Sequence, residues 1–510
     1  MNMHRRQALL GSSATLGLAA LGGLYGCATL REPTPLPRAE WPPAAPREWR
    51  AAWVASVAHI DWPPRPGLAV AEQQASALAM VERARQIGLN ALILQVRPAG
   101  DALYASKLEP WSEYLTGEQG RAPDPAWDPL AFWAEACERQ GLELHAWLNP
   151  FRARHPSART PLVAPHLGVS DPVAVKSYGD LQWMDPAEPA AAQRTLAVAL
   201  DIVRRYPVAG LHIDDYFYPY PVRQGEVEQP FPDQAAWHRY LREARQSGAL
   251  PREDWRREQV DRLVRELHRS LRQLRPEMAF GISPFGLGRP DRRPAGVSGF
   301  SQYDKLYADV EHWLAEGWMD YLAPQLYWPI DSSGQPFGVL LDYWLAQNPR
   351  GLPVRPGLFS SRVGAAERPW PAREIIDQIS LLRGRTGVDG HVHFSLSALL
   401  QDRDGLAQAL LAGPYAQPAL PPRRPGPRLR TAPSAPQLRL RWPGSLELEP
   451  LPGVQASVHA LWWREAGRWR FAVQPAAQPA LALPAQADAL VVSAVDAYGQ
   501  EGAREGWRIR

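Results

Sequence analysis

At 510 residues, with 45% hydrophobic and 21% charged, the chain can hold one large domain with a full core and a smaller one beside it. A net charge of +3 creates no demand for nucleic acid, and none is expected as a partner. The two cysteines, Cys27 and Cys137, are too few for a metal framework, and no histidine spacing with nearby acids suggests zinc, so neither metal nor cofactor is expected.

The N-terminus reads as an address. His4-Arg5-Arg6-Gln7 precedes an apolar run from Ala8 to Tyr25, closed by Gly26-Cys27. A basic head, a short hydrophobic stretch and a small residue at its end make a secretory signal. The run is too rich in Gly, Ser and Ala for a good permanent span. Leu24-Tyr25-Gly26-Cys27 resembles the bacterial lipobox, so residues 1–27 are expected to be a lipoprotein signal peptide with Cys27 lipidated. Arg5-Arg6 with Leu9-Leu10 fits a twin-arginine export signal loosely, and an unlipidated secreted form is the alternative. Ala28, rather than Asp, suits outer-membrane sorting in a Gram-negative source. The expected location is the bacterial cell envelope, with the chain held to the membrane by a lipid anchor and facing the periplasm. Residues 28–47 are Pro-rich and read as a stiff spacer.

From 48 to 414 a short β-rich run, a loop and an amphipathic helix repeat. The expected strands are Arg50–Val57, Ala91–Pro98, Leu142–Pro150, Gly210–Tyr218, Met278–Phe285, Met319–Trp328, Pro353–Ser360 and Gly390–Ser397. The expected helices are Ala71–Ile87, Asp128–Gln140, Ala190–Arg205, Asp254–Leu274, Tyr303–Glu316, Gln335–Gln347, Pro371–Arg385 and Ala398–Leu411, with Gly88, Gly141 and Gly317 as C-caps. Eight such units predict an α/β fold, a (β/α)8 TIM barrel with long insertions. A doubly wound sheet would want a Gly-rich loop after its first strand, and none is present.

Alternation along the strands assigns their faces. Leu92, Leu94 and Val96 oppose Gln95 and Arg97; Leu211 and Ile213 oppose His212 and Asp214; Ile282 and Pro284 oppose Gly281 and Ser283. In the sixth strand Ala323, Gln325 and Tyr327 share a face, and in the eighth His391, His393 and Ser395 do. Helices cover a barrel's outside, so the apolar sets are expected to face outward and the polar sets inward. Beyond Leu411 the Pro- and Arg-rich residues 415–436 read as a linker. Short strands over 437–510, ending in Ala489-Leu490-Val491-Val492-Ser493-Ala494-Val495-Asp496-Ala497-Tyr498-Gly499, resemble a slightly short fibronectin type III β-sandwich.

The chemistry is expected at Asp214 and Asp215, where an apolar strand ends in two adjacent acids and Tyr216. Neighbouring strand residues point to opposite faces, so both acids reach one cleft only if the strand stops there and Asp215 turns onto the rim. An acid pair can hydrolyse a glycosidic bond by two routes. In one, a second carboxylate from the loop after the second strand (Asp101, Glu109 or Glu113) acts as nucleophile about 5–5.5 Å from the acid. In the other, one aspartate orients the sugar's own acetamido group while its neighbour protonates the leaving oxygen. The neutral ends of the later strands favour the second. Arg97, Asn149, Tyr216, Gln325, Tyr327 and His393 are expected as ligands for the sugar, with Trp147 and Trp328 as stacking platforms. His145 and His212 lie deeper and read as core histidines.

Six motifs in order resemble the bacterial glycosyl-hydrolase-like 10 family. They are Arg47-Glu48-Trp49-Arg50-Ala51-Ala52-Trp53-Val54, Gln95-Val96-Arg97-Pro98-Ala99-Gly100-Asp101-Ala102-Leu103-Tyr104, Glu109-Pro110-Trp111-Ser112-Glu113-Tyr114-Leu115-Thr116-Gly117, His145-Ala146-Trp147-Leu148-Asn149-Pro150, His212-Ile213-Asp214-Asp215-Tyr216-Phe217-Tyr218-Pro219 and Gly281-Ile282-Ser283-Pro284-Phe285-Gly286. The resemblance implies a TIM-barrel glycosidase of the envelope, often a lipoprotein, whose polysaccharide substrate is peptidoglycan glycan strands stripped of peptide. One departure is Gly286-Leu287-Gly288-Arg289-Pro290, where relatives carry a tryptophan before the arginine; it bears on a subsite wall. A non-catalytic glycan-binding lipoprotein and a hydrolase of another extracellular polysaccharide are the alternatives.

Overall fold

The computed structural model describes residues 33–245, 248–424, 431–441, 445–453 and 455–509. The expected signal peptide and the Cys27 lipidation site lie outside the described residues. Eight strands form one parallel sheet: β1 Trp49–Val54, β2 Ala91–Arg97, β3 Glu143–Leu148, β4 Gly210–Ile213, β5 Ala279–Ile282, β6 Tyr321–Leu322, β7 Gly357–Leu358 and β8 Gly390–His393. They pair in the order β6-β5-β4-β3-β2-β1-β8-β7. The sheet curls until its end strands approach, and the bridges Leu322–Val354 and Gln325–Gly357 join them.

A helix follows each strand: α1 Val70–Ile87, α2 Pro129–Arg139, α3 Pro189–Arg205, α4 Arg252–Leu274, α5 Val310–Glu316, α6 Phe337–Ala346, α7 Ala372–Arg383 and α8 Leu406–Ala412. Their limits follow from local chemistry. Asp128 caps α2 through the Ala131 N–H, with Pro129 at the first turn, while Gly88 and Gly317 end α1 and α5 in the left-handed region that glycine adopts without strain. Two expected helices break in two. Tyr307, at φ 54°, separates Gln302–Lys305 from α5, and Asp402, Asp404 and Gly405, all at positive φ, separate Leu396–Leu400 from α8.

The sheet divides two cores. Outside it, Leu92, Leu94, Leu211 and Ile213 pack against helix residues such as Ile202, Leu263 and Leu267. Inside, Trp49, Trp53, Ile93, Tyr321 and Val392 fill the curl. Each buried ring contributes on the order of 2–3 kcal/mol. Gly281 is required for this interior: a Cβ there would lie 1.9 Å from Cζ of Tyr321.

The expected faces hold along β4, β5 and β6 and fail in two places. At the end of β2 the register shifts between Gln95 and Arg97, so that Gln95 pairs with inward Trp147 but Arg97 pairs with outward Leu148. This bulge inverts the alternation for one residue. Arg97 therefore points at the helical layer, reaching Thr195 of α3 at 3.4 Å. In β8 the inward side chain is Val392, while His391 and His393 both bond the hydroxyl of Tyr415 on the outer side, at 2.5 and 2.8 Å. Both faces of a parallel strand are buried, so polarity alone does not say which looks inward.

The C-terminal region holds two antiparallel sheets. One runs in the order Thr34–Pro35, Glu501–Arg508, Ala487–Val495, Val458–Glu465, Arg468–Pro475; the other joins Gln437–Arg441, Ser445–Glu449 and Ala480–Leu481. Leu448 of the second packs with Leu461, Leu490 and Val492 of the first. The described part of the expected spacer does not stand free: Thr34–Pro35 adds an edge strand, and Glu40 pairs with Arg464 and Arg508. Nor does the linker up to Arg424, whose guanidinium plugs the N-terminal end of the curled sheet against Ala209 O and Glu143.

Candidate active site

β4 stops at Ile213, and both acids beyond it, each 2% exposed, turn into a cavity of about 290 Å³ at the C-terminal ends of the strands. The conflict between adjacent side chains is thus resolved by ending the strand. Asp214 receives Trp147 Nε1–H at 2.9 Å and Asn149 Nδ2–H at 3.1 and 3.2 Å. Asp215 receives the Tyr220 hydroxyl at 2.5 Å and the Gln325 side chain, whose Nε2 also donates to Ser283 O at 3.0 Å.

These surroundings differ between the two acids, and burial acts on both. Burial pushes Asp214 up to about 7; Arg152 opposes the rise, the Asp215 charge adds to it, and the Trp147 and Asn149 bonds oppose it. Burial also raises Asp215, while the Tyr220 and Gln325 bonds hold it down. Two adjacent buried carboxyls oppose each other's ionisation, so the pair can hold one proton between them.

Aromatic rings wall the cavity. Tyr327, just beyond β6, stacks on Phe359 and Phe394 with centroids 4.9 and 5.6 Å apart. Beneath lies a buried polar layer: His212 bonds Ser283 Oγ at 2.8 Å, Trp53 Nε1 at 3.2 Å and the Tyr321 hydroxyl at 2.9 Å, which also meets His145 at 3.0 Å. Burial holds both imidazoles below their usual range, so they are neutral core groups as expected. A second cavity of about 480 Å³, lined by His155, Asp180, Trp183 and Tyr220, shares Arg152 and Tyr216 with the first. Together they make one groove with the acids along one side.

Of the expected site residues, the structure brings Asp214, Asp215, Trp147, Tyr216, Gln325 and Tyr327 together around the cavity. Asn149 is fully buried and spends its side chain on Asp214 and on the Phe151 and Arg152 backbone, so it is a buttress. Six others fall outside the lining. Arg97 and Glu109 form a wholly buried ion pair, Nε–Oε2 2.8 Å, behind the β2 bulge. Asp101 is buried and takes the Ala99 N–H at 3.0 Å. His393 is locked between Ser360 Oγ at 2.7 Å and Tyr415. Trp328 packs edge-on to Phe285 at 5.7 Å, beside the cavity lining. Glu113 is consumed by the Arg159 and Thr160 N–H groups at 2.9 Å. Among the described residues, the carboxylates lining the central cavity are Asp214 and Asp215, with Asp180 in the outer one. No cluster among the described residues could hold a metal ion.

Arg152, Tyr220, Trp183 and Trp53 were not singled out by the sequence. Arg152 had a usable signal, since it lies just past the end of β3, where rim residues of such a sheet are found. Tyr220 closes the Tyr-rich run begun at Tyr216.

The glycosyl hydrolase-like 10 family model matches residues 48–369. Glycosyl hydrolase YngK of Bacillus subtilis (strain 168) is 38% identical over 403 residues, covering 77% of this chain and 76% of that protein. Glycosyl hydrolase DigH of Escherichia coli (strain K12) is 30% identical over 335 residues, covering 60% and 73%. Among solved structures, the glycoside hydrolase domain of PgaB (BpsB) from Bordetella bronchiseptica aligns with a TM-score of 0.46 and 15% identity, over 72% of this chain and 99% of that one. The chain is a glycoside hydrolase. It belongs to the glycosyl hydrolase-like 10 family.

Proposed function

We propose that the enzyme cleaves the glycan strands of peptidoglycan, peptide-free ones in particular, with Asp214 and Asp215 as its catalytic pair. The observation that carries this is the pair itself: two buried acids, both raised by burial and held by different donors, with no third carboxylate among the described residues lining the central cavity. A covalent route needs a nucleophilic carboxylate about 5–5.5 Å from the acid. Asp101, Glu109 and Glu113 are each engaged elsewhere, which favours the substrate's own acetamido oxygen as nucleophile. Asp214 then protonates the leaving glycosidic oxygen. Asp215, ionised and held by Tyr220, accepts the acetamido N–H and steers its carbonyl oxygen onto the anomeric carbon. Both wall sugars carry an acetamido group, as this route requires.

In the same reading the curled, end-bridged sheet is a (β/α)8 barrel, and the two C-terminal sheets are a fibronectin type III-like sandwich completed by Thr34–Pro35. The lipobox at Cys27 supports an envelope lipoprotein facing the periplasm. A mass-spectrometric assay of products from peptide-free strands tests the substrate, and a thiazoline mimic of the cyclised acetamido sugar tests the route. Competitive inhibition by the thiazoline is expected. Trapping of a glycosyl group on a third carboxylate would overturn it.

A further inference from the structure

Arg152 is a charge in search of a partner. It is only 3% exposed, yet among the described residues no carboxylate pairs with it. Its Nη1 donates to Pro98 O at 3.2 Å, and its guanidinium carbon sits over the Tyr216 ring, 4.3 Å from the ring centre. Asp214 and Asp215 line the same cavity and feel its charge without an ion pair to it, and Asp180 lines the outer cavity at its exposed rim. A buried cation left unpaired is costly, and it persists where a ligand supplies the anion. Arg152 stands at the junction of the two cavities, beside a wall formed by Trp183, Tyr216 and Tyr220 against which a pyranose face can lie.

Resting on the wall-glycan reading above, we propose that Arg152 forms a subsite for the lactyl carboxylate of a muramic acid residue and so selects strands from which the peptide has been removed. One of the two alternating wall sugars carries a lactyl ether. Its carboxyl group is free and anionic in a peptide-free strand, but becomes a neutral amide, with a bulky extension, where the peptide is attached. A planar guanidinium matches a carboxylate with two parallel hydrogen bonds and gains far less from an amide. Selection against peptide-bearing strands then comes from lost charge as well as from bulk.

The test compares kcat/KM for the wild type and Arg152→Gln on peptide-free strands and on the same strands with the lactyl carboxylate converted to its methylamide. The wild type should prefer the free carboxylate on the order of 10- to 100-fold, as expected for a charge-assisted bond. Arg152→Gln should lose that preference to within about two-fold, the usual limit of additivity, and Arg152→Lys should recover part of it. If Arg152→Gln slows both substrates equally and keeps the wild-type preference, Arg152 is only a counter-charge for the aspartates and the subsite is refuted. If the wild type cleaves neither strand, the hydrolytic reading fails by itself. Calorimetric binding of a muramic-acid-containing disaccharide and its methylamide to both proteins then decides the subsite. It stands if the wild type prefers the carboxylate and Arg152→Gln does not, and falls otherwise.

Discussion

Replacing Asp214 with Asn preserves the shape of the side chain and removes its proton, and two consequences of opposite sign follow. Loss of a positioned general acid costs about 10²- to 10⁴-fold in turnover. Stability should move the other way. Burial lifts Asp214 from 3.8 to about 7, roughly three pH units, and at 1.36 kcal/mol per unit this amounts to about 4 kcal/mol. Between those pH values the folded protein holds a proton that the unfolded chain has released. The contribution of Asp214 is therefore fully present below the unfolded value and is lost as pH rises through the folded one. Asn does not titrate, so the variant should gain on the wild type by up to about 4 kcal/mol between pH 4 and pH 8. Urea unfolding of both proteins at those two pH values, with turnover measured alongside, checks the pair of effects. A stability difference that is the same at both pH values, together with turnover within about ten-fold of wild type, would refute the assignment of Asp214 as the acid.

Tyr220→Phe removes the 2.5 Å bond that holds Asp215 down. Asp215 should rise further, so the acidic limb of the pH–activity curve moves upward and turnover falls more at pH 5 than at pH 8. Arg97→Ala strands Glu109 in a wholly buried site and should cost about 3–5 kcal/mol, read as a drop in melting temperature. Because the pair faces away from the groove, KM of the protein that remains folded should be unchanged. Gly281→Ala drives a methyl into the Tyr321 ring; the overpacking should cost about 1–3 kcal/mol, with the loss of His145 and His212 contacts visible by imidazole NMR.

How much of this could be read beforehand depended on the kind of constraint. A strand run such as Gly210–Ile213 has a period of two, so Leu211 and Ile213 outward and His212 inward followed directly. The eight strands and most of the helices around them were legible for the same reason. The failures are places where the period is broken or undecided. A bulge adds one residue without any compositional mark, so alternation alone turns Arg97 inward, whereas in the fold it faces Thr195 of α3. His391 and His393 alternate with Val392, but Tyr415 and Ser360 offer hydrogen bonds on the outer side, and these outweigh the guess that polar means inward. Tyr415 lies more than twenty residues downstream, so no local window contains that competition.

The division has a physical consequence for the site. Residues inside the strands, such as Trp147 and His212, are held by ladder bonds on both sides and face a filled interior; they fix the acids' positions and fields. Residues one to seven places past a strand end, Asp214, Asp215, Arg152 and Tyr220, have left the parallel ladder and can turn toward the groove. Strand periodicity therefore predicts the floor of such a site and leaves the walls to the loops, and the groove's charge is set there. The aspartates are raised by burial while Arg152 alone among the groove-lining guanidinium groups opposes the rise. An anionic substituent seated on Arg152 would weaken that opposition and lift Asp214 further, keeping the acid protonated when the correct strand is bound. Peptide-free substrate should accordingly shift the alkaline limb of kcat to higher pH than its methylamide does, and identical limbs for the two substrates would sever the link between recognition and proton donation.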